Sequence, residues 1–225
     1  MSRETENALL LLVGLSTAIV AFSGAYTRYV KPALLPWLWA SATVLVTLAL
    51  IAIVNDIRHG PRNDGHSGHD HRSGMVWLLV VPVALLAFVV PPALGPQSAR
   101  PAVSQTAGEA PRRPFPALPA GRAPELSLPE VLIRLAQDSA GTLDDRLITV
   151  TGFTIGDGSY LGRVVILCCA ADAQLARMRL TGTGAAVAAG MPDGTWVRVE
   201  GRAIPGELRA ETVMRIPEPA NTYSY

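Results

Sequence analysis

Long apolar stretches separated by short polar interruptions dominate positions 1–95. Residues 8–27 carry no charge, and the run is long enough to cross a hydrocarbon core of ~30 Å at about 1.5 Å per residue. A second uncharged run, 33–55, has Trp37 and Trp39 near its start, where amphipathic rings favour the headgroup level. A third, 75–94, has Trp77 at its entrance, an internal Pro82 and a terminal Pro91-Pro92 pair. Each proline removes a backbone donor that lipid cannot replace, which predicts a kink and then a firm stop. The pattern therefore predicts three transmembrane helices at about 8–27, 33–55 and 75–94, with a polar loop at 56–74. The first run also has a competing reading as a cleaved signal peptide, because Ala21-Phe22-Ser23-Gly24-Ala25 supplies small residues at a plausible cleavage point. Its length argues for a span, since a signal core is usually about 7–15 residues.

Beyond position 95 the pattern changes. Residues 96–124 are mostly Pro, Ala, Gly, Ser and Arg without an apolar period, a composition that predicts a linker. Ser127-Leu128-Pro129-Glu130 places an N-cap, an early proline and a capping-box glutamate in order, so a helix is expected over about 128–138. Alternating or continuous apolar runs then follow at 147–153, 163–169, 175–180, 195–203 and 207–216, with a Pro205-Gly206 turn before the last. These are five short strands, with an alanine-rich piece at 184–190 between the third and fourth that suits a short helix. Five strands with that insertion suggest a small closed barrel of the OB type, and a sandwich is the other arrangement they allow. The expected fold is thus a membrane α unit (1–95), a linker (96–124), an OB-like β domain (125–216) and a tail (217–225).

Composition narrows the classes of function. Of 225 residues, 49% are hydrophobic and 16% are charged, which is membrane composition, and the net charge of +1 provides no basic surface for a nucleic-acid partner. Arg3, Arg58, Arg62 and Arg72 lie on one side of the expected spans. Arg28, Lys31 and Arg100 lie on the other, with Arg112 and Arg113 farther out. The positive-inside rule then favours a cytoplasmic N-terminus and 56–74 loop at the plasma membrane, with the β domain extracytoplasmic. The spans contain no Asp, Glu, Lys, Arg or His, so they lack the groups that build an ion pathway. They suit a subunit that docks on another membrane protein, with Gly14, Ser16, Ser23, Gly24, Ser41 and Thr43 as small contact residues.

Two clusters carry candidate chemistry. All four histidines, His59, His66, His69 and His71, fall within thirteen consecutive residues, together with Asp64 and Asp70. Imidazole with carboxylate suits zinc or another divalent transition metal, while the same segment also reads as a solvated connector or a pH-sensitive patch. The only cysteines, Cys168 and Cys169, are followed by Asp172. As the end of a strand they are expected on opposite faces of the sheet, with only one facing the core. A reactive thiol, a vicinal disulfide, a soft metal ligand and a buried small residue with a turn-capping aspartate all remain open. No histidine lies in the β domain to serve as base for a cysteine nucleophile, so no enzyme is expected.

The order of two spans, a histidine-rich loop, a third span, a linker and a β domain bearing Cys169-Ala170-Ala171-Asp172 resembles the YcgQ-type family of permease subunits. The strand residues Arg163-Val164-Val165-Ile166, the Gly152-Phe153 strand end and the aromatic end of the chain at 219–225 add to the likeness, which covers nearly the whole chain. The resemblance implies an accessory subunit that pairs with a larger multi-span permease in a two-component membrane complex. The histidines make a transition metal its first expected cargo. The alternative is a membrane-tethered binding module whose barrel captures a peptide, glycan or protein.

Overall fold

A computed structural model describes residues 3–59, 94–95, 100–101 and 112–225. The chain forms two compact units, Met1–Pro92 and Ala93–Tyr225.

In the first unit, α1 (Arg3–Phe22) and α2 (Leu35–His59) form an antiparallel hairpin. The first apolar run does not stay helical to position 27: Gly24 adopts a left-handed conformation, and a 3₁₀ turn, Ala25–Arg28, follows. A second 3₁₀ turn, Pro32–Leu34, leads into α2. The hairpin seam is made of small residues one heptad apart. Asn7, Gly14 and Ala21 are buried on α1, and Ala42 and Ala49 on α2. A Cβ at Gly14 would meet Val46 Cγ2 at 2.9 Å and Leu45 Cβ at 3.1 Å, so this position needs glycine for the two backbones to approach. At the open end of the seam, Asn7 Nδ2 donates to Asp56 Oδ2 at 2.7 Å.

Gly14, expected to meet a partner protein, is thus spent on the chain's own hairpin. Ser16, Ser41 and Thr43 donate their hydroxyls to the carbonyls of Leu12, Leu38 and Trp39, so each satisfies itself within its helix, and Ser23, one residue past α1, donates to Val20. Outward from the seam the surface is apolar, with Ile19, Phe22, Trp37, Val44, Leu48, Ile51 and Ile57 all exposed. Among the described residues one helical stretch, Pro32–Arg58, is long and apolar enough to cross a membrane; Glu6–Phe22 is a shorter apolar helix. The expected third span lies outside the described residues except for Leu94.

The second unit is built on a five-stranded closed β-barrel. In chain order the described strands of this unit are β1 (Arg100–Pro101), β2 (Glu125–Leu126), β3 (Leu147–Ile155), β4 (Tyr160–Val165), β5 (Gln174–Thr181), β6 (Trp196–Ile204), β7 (Glu207–Arg215) and β8 (Tyr223–Ser224), of which β3 to β7 make the barrel and the other three are two-residue additions to it. Antiparallel pairs β3–β4, β4–β5, β6–β7 and β3–β6 are joined by the parallel pair β5–β7, which closes the ring. Helix α3 (Leu128–Gln137) precedes the barrel, and the one-turn α4 (Ala185–Ala188) sits between β5 and β6. The expected five strands, their closure and the position of the short helix are all present.

The core follows from alternation. In β6, Val197, Val199 and Ala203 point inward, and they join Ile148, Val150, Leu161, Met178, Leu180 and Leu208 in one cluster. Helix α3 covers one end of this cluster with Leu128 and Val131; Ser127 Oγ caps it by accepting from Glu130 N at 3.3 Å. The Glu130 carboxylate turns to Arg134 rather than completing the capping box. Strand β3 bends past β4 at Gly152, where a Cβ would lie 2.5 Å from the Gly162 carbonyl oxygen.

Two segments outside the expected domain 125–216 are built into this unit. Residues 112–124, placed in the linker by composition, lie against α3 and β3. Arg113 N donates to Gln137 O, the Phe115 ring lies under the Arg134 guanidinium, and Ala123 and Pro124 offer carbonyls to Thr149. The chain end also docks: β8 adds to β4 in parallel, and Tyr223 is 1% exposed. Tyr223 packs with Phe153, Val164, Ile166, Ala173 and Leu175 in a second cluster, and its hydroxyl accepts from Leu94 N at 2.8 Å.

Candidate functional site

Strand β4 ends at Val165, four residues earlier than the apolar run predicts. The reason is Asp172. Its Oδ1 accepts from Leu167 N at 2.8 Å, while its Oδ2 accepts from Cys168 N at 2.8 Å and Cys169 N at 3.3 Å. Three successive amides aimed at one carboxylate cannot also serve a β ladder, so the chain leaves the sheet and turns. A short 3₁₀ helix, Ala170–Asp172, follows, capped by the Cys169 side chain, which accepts from the Asp172 amide.

This turn corrects the expectation that the two thiols occupy opposite faces of a strand. Cys168 is exposed and Cys169 half-buried; neither belongs to the core, and both are free thiols. Cys168 Sγ donates to Asp172 Oδ2 at 2.9 Å, and a ligand atom from each of Cys168, Cys169 and Asp172 lies within 4.8 Å of the others. Among the described residues this is the one cluster of metal-ligating side chains that converges in this way. The Asp172 carboxyl is held down at about 2, first by the Cys168 thiol and then by the Leu167 amide. The Cys168 thiol is pushed up to about 11, first by its bond to that carboxylate and then by Cys169. A thiol in this setting stays protonated at neutral pH, which is the opposite of an activated nucleophile.

A second charged feature lies on the neighbouring face of β4. Arg163 is buried, stacks over Trp196 at 4.8 Å and donates from Nη2 to the carbonyls of Asn221 (2.7 Å) and Tyr223 (3.2 Å). Burial lowers its pKa, while Glu125 and Tyr225 act the other way. Its role is to hold the chain end against the barrel. Trp196 also borders an open cleft of about 570 Å³, shared with Asp193, Thr195, Arg215 and Glu218.

The histidine cluster cannot be placed beside these groups. Asp64, His66, His69, Asp70 and His71 lie outside the described residues, as does the side chain of His59, whose backbone ends α2. The periodic pattern of the sequence missed the gathering of Cys168, Cys169 and Asp172, although one signal was present: an aspartate three and four residues after two cysteines is placed to cap their amides.

No curated protein and no solved structure matches the chain. Residues 8–100, which contain most of α1, all of α2 and the histidine-bearing segment but stop short of the barrel, are similar to the DUF1980 N-terminal domain.

Proposed function

We propose that this protein is a non-enzymatic accessory subunit of a two-component membrane permease complex, anchored through its N-terminal unit and carrying a barrel of the OB type outside the bilayer. The observation that carries the reading is the α1–α2 hairpin. Its buried small residues Gly14, Ala21, Ala42 and Ala49 form its own seam and its hydroxyls are satisfied internally, yet its outer faces present Ile19, Phe22, Val44, Leu48 and Ile51. Such faces suit lipid and the helices of a membrane partner, and an aqueous surface does not tolerate so large an apolar area. The similarity of residues 8–100 to the DUF1980 N-terminal domain supports treating this region as a unit, and the YcgQ-type resemblance supplies the permease partner. In this reading 75–94 is a third span, the 56–74 loop is cytoplasmic, and its histidines with Asp64 and Asp70 contact a transition metal such as zinc. The test is isolation from the native membrane in mild detergent, with co-purifying proteins and bound metals quantified on one sample.

One observation favours a second reading. The cleft beside Trp196, with Arg215 and Glu218 on its rim, combines an aromatic ring with both charge signs in the way a peptide- or glycan-binding surface does. A membrane-tethered binding module predicts that the protein retains a ligand through this cleft with no permease attached.

A further inference from the structure

We propose that the turn formed by Cys168, Cys169 and Asp172 is a zinc-binding site of two thiolates and one carboxylate, with its remaining coordination position open for exchange. The inference stands apart from the permease reading, since it rests on the barrel unit alone.

Geometry is the first support. A tetrahedral zinc with Zn–S of about 2.3 Å and Zn–O of about 2.1 Å sets its ligand atoms roughly 3.6–3.8 Å apart. The three ligand atoms here fall within 4.8 Å of one another, and the Cys168 Sγ to Asp172 Oδ2 separation is 2.9 Å. Shifts of about 1 Å in the side chains of this turn bring both to the required spacing. The thiol proton that now lies between Cys168 Sγ and Asp172 Oδ2 marks the place where a cation would bridge the same two atoms. On binding, two thiol protons leave to solvent as two Zn–S bonds form.

The outer shell is the second support, and it is independent of the first. A bound metal needs its ligands oriented and their charge stabilised by surrounding donors. Asp172 is fixed by the amides of Leu167, Cys168 and Cys169, and the Asp172 amide itself donates to the Cys169 sulfur. Amide donors to a ligating sulfur stabilise the thiolate form that the metal requires.

The donor set selects the ion. Two thiolates favour zinc or copper(I), and the hard carboxylate oxygen shifts the choice towards zinc, a borderline ion that accepts both kinds of ligand. A structural zinc site is closed by four protein ligands, usually from two separated segments. Here one five-residue turn supplies three, and Cys168 and Leu167 are exposed beside it. The fourth position therefore falls to water or to a ligand on an incoming molecule, which is the arrangement of a site that takes up and releases its ion.

Cobalt(II) tests this in the full-length protein, purified in detergent and kept reduced by a phosphine, because sulfur-to-cobalt charge transfer in the near ultraviolet distinguishes thiolate from histidine ligation. The expected result is a charge-transfer band that saturates at one cobalt per chain and is abolished by zinc. The band disappears in C168S/C169S, persists in H66A/H69A/H71A, and needs at least tenfold more cobalt in D172N. Absence of the band in the reduced parent, its survival in C168S/C169S, or an unchanged cobalt requirement in D172N would each overturn the assignment. The single variant C168S, altered only at the exposed thiol, is expected to lose most of the band while keeping the parent's circular dichroism, so loss of the site is separated from loss of the fold.

Discussion

Asp172 accepts hydrogen bonds from three successive backbone amides and from one thiol. By gathering the amides of residues 167–169 it ends β4, and by accepting the Cys168 thiol it suppresses that thiol's ionisation. With the Cys168 pKa near 11 against an ordinary value of 9.0, the metal-free protein holds about a hundredfold less thiolate at this position at neutral pH. Alkylation of Cys168 by iodoacetamide at pH 7–8 is therefore expected to be slow, and at least ~10-fold faster in D172N, as mass spectrometry of timed samples would register. Equal rates in the two proteins would remove the carboxylate as the cause. The Asp172 pKa moves the opposite way, to about 2 from 3.8, so its stabilisation is complete above pH 4 and is lost as the pH falls towards 2. An acid titration of barrel circular dichroism should accordingly show D172N unfolding with less dependence on pH between 4 and 2 than the parent. None of this was visible in hydrophobic periodicity, which carried the Ile166–Leu167 run on into Cys168 as strand; a hydrogen-bonding argument from the Asp172 spacing reaches the turn.

Helices and strands were legible where one face alternates with another. The residues of β6 announce their burial by a period of two, and Ser127 announces the start of α3, because both signals are local. The hairpin seam was written in the sequence as Asn7, Gly14 and Ala21, one heptad apart, but a small residue does not say whether its neighbour belongs to the same chain. Gly14 gives the seam its test. Gly14→Leu forces a branched side chain into Val46 and Leu45, and overpacking of this kind costs about 1–3 kcal/mol. The expected outcome is a hairpin that opens at lower denaturant in detergent, measured by disulfide trapping between cysteines introduced at facing seam positions. Unchanged trapping would mean that the helices do not meet at Gly14.

At the scale of the barrel unit, the parts that composition assigned to a linker and a tail prove to be structural. Arg113, Phe115 and Arg134 tie 112–124 to α3, and Asp138 accepts from the hydroxyl and amide of Thr142 and from the amides of Phe115 and Ala140. Those bonds hold its carboxyl well below the usual range. Proline- and alanine-rich segments lack a period of their own, so their docking is set by what they meet. Tyr223 shows the consequence: an aromatic seven positions past the last expected strand fills the second core cluster. Tyr223→Ala leaves that space empty and removes the Leu94 bond, with an expected loss of about 3–5 kcal/mol in thermal or urea unfolding of the barrel. A change below about 1 kcal/mol would show that the chain end contributes nothing to stability.

Across the whole molecule, two units with different chemistry share one chain: a hairpin whose outer face is apolar, and a closed barrel with a thiol-bearing turn. We propose that the first serves a membrane partner, and isolation from the native membrane puts that to the test. A multi-span membrane protein is expected to co-purify with the chain at a constant ratio through successive columns in mild detergent, with zinc or another transition metal accompanying the pair. Recovery of the chain free of any membrane protein, with its barrel folded, would contradict it.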